Sequence, residues 1–453
     1  MEIEKYNIGF VPLAERYGSE KRLFTIWFSI NLSIVCLTVG TLGILAGLGL
    51  PQTILALVLG NAIGTVFMAA HSAQGPHLGI PQMIQSRAQF GVFGAAIPLV
   101  AVIVTYTLYL AADEVVLRRT ITSLLPIGTD SAMILFGAAV LVVAYIGYEL
   151  IHRLGVYLTV VSGFLFLATA MLLVGPEAGP ARPISNPAGH FEFSIFMATL
   201  TQATAWSLTF GPYVADYSRY LRPEVPTAST FWYTAMGNFL GASAIMCLGA
   251  YMASNYAQIA ADPGVGIAAL FGPVASIVKA LIVLGVFQAG VMNLYSAFMS
   301  ASTIFSGFNR YGHIGRRTKF VIMTSVISSA TMIAILTQNN FHRYFGDMLD
   351  MMVYVLVPWS AINLADYYFV QRGSYDIDDM FDPEGIYGRF NWPAIAIYGL
   401  SIAVEAPFAR LSFYTGSIAR AIGADIAWLP GLVVPALLYC MIVRPSPVRA
   451  LSR

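Results

Sequence analysis

Charge is what this sequence has least of. Acidic and basic side chains make up 10% of its 453 residues, where a soluble domain carries about 25%. With 57% apolar residues and a mean hydropathy of +0.71, a soluble globular, disordered or nucleic-acid-binding chain is excluded. The balance of 24 Lys and Arg against 23 Asp and Glu leaves no excess to attract a charged partner. Cysteine is scarce too. Cys36, Cys247 and Cys440 all lie in apolar runs, which excludes a disulfide framework and a thiolate metal site. The six histidines fall in loops or at the ends of apolar stretches, and no two have the helical spacing of a metal pair. No Ser-His-Asp, His-Glu-x-x-His or paired-aspartate arrangement lies at membrane depth, so neither an enzyme nor a cofactor is expected.

What is abundant is long apolar sequence. Crossing a bilayer takes about 20 apolar residues, and twelve such stretches occur, near residues 23–50, 53–70, 92–116, 132–149, 154–174, 195–217, 231–251, 274–298, 320–336, 346–370, 392–409 and 426–443. The first 22 residues are polar and lack a signal-peptide pattern, so the first span is expected to be retained. With the N-terminus inside, inner segments hold seventeen Lys and Arg and outer loops six (Arg118, Arg119, Arg182, Arg343, Arg410 and Arg420). Cytoplasmic loops carry the basic excess, so both termini are expected in the cytoplasm. The expected organisation is a cytoplasmic segment 1–22, a single transmembrane domain 23–443 and a cytoplasmic tail 444–453, in the plasma membrane.

Two spans read as interrupted. Gly40-Thr-Leu-Gly43 divides the first, and Thr209-Phe-Gly-Pro212, whose proline lacks an N–H, divides the sixth. Broken backbone at membrane depth is tolerated where it lines a cavity or is buried in protein. Equivalent breaks five helices apart point to a five-plus-five inverted repeat with a midplane site.

Several strings then acquire a family resemblance. Gly40-Thr-Leu-Gly43, Gly60-Asn61, Gly75-Pro76, Ser86-Arg-Ala-Gln-Phe-Gly91, Gly211-Pro-Tyr-Val-Ala-Asp-Tyr-Ser-Arg-Tyr220, Asn363-Leu-Ala-Asp-Tyr-Tyr368, Arg372-Gly373, Tyr387-Gly388 and Asn391 occur in that order. The chain resembles the purine-cytosine permease branch of the nucleobase:cation symporters over nearly its whole length. The resemblance implies an all-α integral membrane protein of twelve transmembrane helices. Ten would form a LeuT-like inverted repeat with discontinuous first and sixth helices, and two would be peripheral. It also implies cation-coupled uptake of a cytosine or purine, or of another nitrogenous ring such as a hydantoin, allantoin or hydroxymethylpyrimidine. A passive channel fits broken helices less well.

A flat base needs aromatic faces and a few fixed hydrogen-bonding groups. Tyr106, Tyr109 and Asp113, spaced by three and four, share one face of the third span. The resemblance puts Tyr109 where the family usually stacks its substrate on tryptophan, and Ser207 at its second stacking aromatic. A one-residue shift would bring Trp206 to that place instead. The backbone at Gly211 is freed by the break, and Gln288 and Asn293 of the eighth span offer amide groups. Asp216 reads as an ion pair or cap.

For coupling, the resemblance sets Gln288 and Ala289 at positions where sodium-using members carry hydroxyls, opposite carbonyls near Phe28 and Asn31. Ala289 has no ligating side chain, which favours proton over sodium coupling. A proton carrier would be an in-span ionisable group: Asp113, on the tyrosine face, ahead of Glu114, Lys279 and Glu405, all four near outer span ends from which they could reach the interface. Glu149 and Asp366 read as structural. The expected partners are the heterocycle, the coupling cation and the lipid bilayer.

Overall fold

The structure is a computed structural model describing residues 9–146, 148–175, 191–308 and 314–445, without the side chains of 148–156, 257 and 258. Each of the twelve apolar stretches is a helix or a broken pair of helices. Span 1 is α1 (Lys21–Ile30) and α2 (Ile34–Leu45), and span 2 is α3 (Leu50–Ala70), continued by the short α4 (Gln74–Leu78). A connecting helix α5 (Gln82–Phe90) leads to spans 3, 4 and 5, which are α6 (Ala96–Thr122), α7 (Thr129–Ile146) and α8 (Tyr148–Val174). Span 6 is α9 (Phe193–Leu208) and α10 (Val214–Ser218), and span 7 is α11 (Thr227–Asn255). Two loop helices, α12 (Ala257–Ala260) and α13 (Pro263–Ala269), precede spans 8, 9 and 10, which are α14 (Ala275–Phe308), α15 (Arg316–Thr337) and α16 (Phe341–Ala365). Spans 11 and 12 are α17 (Trp392–Glu405) and α19 (Trp428–Ile442), joined through a small hairpin of β1 (Arg410–Leu411) and β2 (Tyr414–Thr415) and the short α18 (Ser417–Ile422). Among the described residues, seven helical stretches are long and apolar enough to cross a membrane unaided, and an eighth qualifies when α1 and α2 count as one bent span.

Packing follows a two-fold plan. Spans 1 and 2 pack with spans 6 and 7, and spans 3 and 4 with spans 8 and 9, so corresponding elements of the two halves lie together. Spans 11 and 12 pack on span 10. One apolar core runs from Leu23 to Tyr439, and a smaller one under α5 includes Leu78, Ile84, Tyr367 and Met380.

The break in span 6 falls where the sequence places it, but the break in span 1 does not. Gly40 and Gly43 lie inside a continuous α2, and the chain bends by 61° at residues 31–33. Glycine serves close approach there: a Cβ on Gly40 would stand 1.9 Å from the Met246 carbonyl oxygen of span 7. Small residues let membrane helices touch backbone to backbone. The bend itself is made by Asn31 and Ser33. The Asn31 amide nitrogen donates to the Trp27 carbonyl at 2.8 Å, and Ser33 Oγ accepts from Cys36 N at 3.1 Å to cap α2. In span 6, Thr209 Oγ1 donates to the Trp206 carbonyl at 2.7 Å. Both breaks thus satisfy the last-turn carbonyl of a tryptophan with a side chain, as a water-poor setting requires.

Candidate functional site

The two breaks meet, and their polar side chains join. Trp206 Nε1 donates to Asn31 Oδ1 at 2.7 Å, Asn31 Nδ2 to Asn238 Oδ1 at 3.0 Å, and Asn238 Nδ2 to Thr65 Oγ1 at 2.7 Å, tying spans 6, 1, 7 and 2 together. Asn31 and Asn238 are fully buried. The side chains at 206 and 207 point to different neighbours. Ser207 points the other way, donating to Asn61 of span 2 at 3.1 Å, while the indole faces span 3.

Around the indole lies a cluster of aromatic rings. The Tyr109 hydroxyl is 2.9 Å from Thr209 Oγ1, and its ring stands edge-on to Trp206 at 5.6 Å and 87°. These rings form a corner rather than a slot, so one flat molecule can stack on only one of them. Phe210 closes the cluster at 5.8 Å from Trp206, Trp27 lies 5.8 Å from Phe210, and Tyr213 lies 5.9 Å from Tyr106. Trp27, Phe210, Tyr213, Asn61 and Asn238 were not singled out as site residues from the sequence. The signal for two of them was present in the break motif itself, Phe210-Gly-Pro-Tyr213.

The remaining sequence candidates divide. Asp113 and Asn293 come together, the Asn293 amide donating to Asp113 Oδ2 at 3.2 Å. Gln288 is half-buried on α14, with no side-chain hydrogen bond to a described residue, and Ala289 beside it offers no ligand. The Phe28 carbonyl abuts Gly241 of span 7, and that of Asn31 accepts the Ser33 N–H at 2.8 Å. Gly211 lies beside His71 and Trp359 rather than Tyr109. Glu114, fully buried, accepts from Thr331 Oγ1 at 2.8 Å, and Glu405 is packed against Gly431. With Asp113 also buried, these three carboxylates do not reach the interface; helix packing encloses them. Lys279 lies near Asp262 instead of pairing with Asp113 or Glu114. Asp216 caps a helix other than its own, accepting the Gln82 N–H at the start of α5 at 2.8 Å. The side chains of Glu149 and His152, and residues His190 and His313, lie outside the described residues.

The arrangement defines a class: a membrane transporter with two broken helices crossing at an aromatic, nearly uncharged centre. Residues 10–431 match the family model for permeases of cytosine/purines, uracil, thiamine and allantoin. The chain belongs to that family. A Bacillus subtilis protein, YxlA, provisionally named a purine-cytosine permease, is 38% identical over 448 residues, covering 98% of this chain and 97% of its own. The purine-cytosine permease fcyB of Emericella nidulans is 24% identical over 480 residues, covering 100% of this chain and 90% of its own. Among solved structures, Mhp1, a nucleobase-cation-symport-1 transporter in a closed conformation with bromovinylhydantoin bound, superposes with a TM-score of 0.73 at 18% identity, covering 97% and 94% of the two chains. The fold is therefore the LeuT-like one, and the chain is a multi-pass membrane permease and not an enzyme.

Proposed function

We propose that this permease imports a neutral nucleobase-like heterocycle, of the cytosine or purine class, by proton-coupled symport with alternating access. The observation that carries the reading is the Tyr109–Trp206 corner where the two broken spans meet. A base stacks on one ring and meets the edge of the other. Tyr106 and Asn293 supply polar groups nearby on spans 3 and 8, and Gln288, which has no side-chain hydrogen bond among the described residues, can turn to an amide edge. Asp113 is the proposed proton carrier. It is buried, Asn293 is its hydrogen-bond partner, and no Lys or Arg pairs with it among the described residues. Sodium is disfavoured because Ala289 has no ligating side chain and the Asn31 carbonyl already accepts the Ser33 N–H, which leaves few oxygens for a cage. The face bearing residues 9 and 445 is the cytoplasmic one, on the basic-loop count.

A hydantoin is the second reading, favoured by the bromovinylhydantoin bound to the structurally similar Mhp1. Uptake of labelled cytosine, adenine, hypoxanthine and hydantoins into proteoliposomes, with sodium and pH gradient varied separately, tests both. Saturable uptake of one base under an inward proton gradient without sodium is expected. Strict sodium dependence would refute the coupling ion, and conductance without saturation or counterflow would refute transport by a binding cycle.

A further inference from the structure

A second buried polar array lies off the ring cluster, toward the face bearing residues 9 and 445. It starts at His71, in the turn ending span 2, and runs through α4, α5 and span 10 to Asp366. The His71 ring is fully buried, stacked on Trp359 at 5.0 Å on one side and lying against Gly211 of the span 6 break. Its Nε2 is 2.9 Å from Ser360 Oγ, and its Nδ1 is 3.3 Å from the Gln82 amide nitrogen. Gln82 donates on to Gln74 Oε1 at 2.5 Å, Gln74 to Asn363 Oδ1 at 2.8 Å, Asn363 to Gln89 Oε1 at 3.1 Å, and Gln89 to Asp366 Oδ2 at 2.6 Å. Tyr375 and Tyr439 also donate to Asp366, at 2.7 and 3.1 Å.

This chain has a direction. Every amide from Gln82 onward gives its N–H toward Asp366, an acceptor-only end while ionised. At the other end, Gln82 donates to Nδ1, so His71 is neutral and carries its hydrogen on Nε2, facing Ser360. The Gln82 carbonyl oxygen is buried and has no hydrogen-bond partner among the described residues. A proton arriving on Nδ1 meets the N–H of Gln82, donor against donor. Turning the Gln82 amide over gives Nδ1–H an acceptor, the oxygen that now has none, but that oxygen then faces Gln74 Oε1. The conflict passes from amide to amide and ends on Asp366. Either one link opens, or the ionised Asp366 must itself take up a proton.

We propose that His71 is a proton-binding site whose occupancy unlocks this face, by breaking the amide chain that holds span 2 and α5 to span 10. It deepens the coupling reading and rests on it for its role in transport. The ionisable groups around His71 are few. Span 10 brings Asp366 and Tyr367, the latter hydrogen-bonded to His77 of α4, and α10 brings Asp216 to the start of α5. Arg87 of α5 turns away to the Thr303 carbonyl, and α3 and α11 carry no acidic, basic or histidine residue.

The test is a spin-label distance between Arg222→Cys, after α10, and Ser374→Cys, after span 10, both exposed, in full-length protein with Cys36, Cys247 and Cys440 replaced by alanine. Lowering the pH in steps from about 8 to about 4, below the ordinary histidine range because the ring is fully buried, should add a longer distance component. His71→Gln should keep the high-pH distribution at both pH values. Asp366→Asn, which lets the chain turn over intact, should lose at least about half of the pH-induced component, and it carries the test if His71→Gln elutes aggregated. An unchanged distribution in the parent protein, or the same pH response in the folded variants, would overturn the proposal. No substrate is added, so failure of uptake in the liposome assay and failure here are separate results.

Discussion

At the residue scale, Trp206 is the pivot of the candidate site. Its ring meets Tyr109, while its N–H fastens span 6 to Asn31 of span 1. The two functions are separable by substitution. Trp206→Ala and Tyr109→Ala should each weaken substrate binding at least about tenfold, the equivalent of about 1.4 kcal/mol, without loss of membrane insertion, as read by radioligand binding to purified protein. Trp206→Phe keeps a stacking face but removes the donor to a buried amide oxygen, at a cost of about 1–3 kcal/mol. It should therefore lower the melting temperature more than the affinity. Equal affinity in Trp206→Ala would remove the ring from the site. The choice between Trp206 and Ser207 was invisible in one dimension because neighbours on a helix differ by about 100° in direction. Only the position of span 2, with Asn61 waiting for the Ser207 hydroxyl, decides which faces the centre.

At the element scale, the misplaced break in span 1 shows two meanings of glycine. Gly40 and Gly43 looked like a hinge, yet they are contact surfaces, and the hinge is written in Asn31 and Ser33. Polar side chains break a membrane helix when they can replace the backbone partners they displace. Gly40→Val should drive a side chain into the Met246 carbonyl and destabilise the protein by about 3 kcal/mol or more. Gly399→Ala in span 11, where a Cβ meets nothing within 4 Å, should be neutral or slightly stabilising. Thermal unfolding of both variants in detergent checks the contrast. If Gly40→Val melts like the parent, the backbone contact between spans 1 and 7 does not hold the bundle. The break in span 6 was legible because Pro212 announces it chemically: a missing N–H shows in the sequence, whereas a close approach does not.

At the scale of the whole molecule, the basic-loop count makes an orientation that can be measured. A cysteine at Phe413, exposed on the hairpin between spans 11 and 12, should react with an impermeant maleimide in intact cells, and one at Ser374 should react only after permeabilisation. The opposite pattern would invert the proposed direction of every loop. The number of spans, the scarcity of charge and the family were determined by the sequence itself, because apolar length and breaker residues act locally and the bilayer reads them locally. The meeting of Asn31 with Trp206, of Asp113 with Asn293, and of His71 with a chain ending at Asp366 was decided only by the tertiary structure. Those partners stand 175, 180 and 295 positions apart in sequence. A solitary histidine or asparagine in an apolar run has no stated purpose until packing excludes water and forces each buried polar group to find a partner.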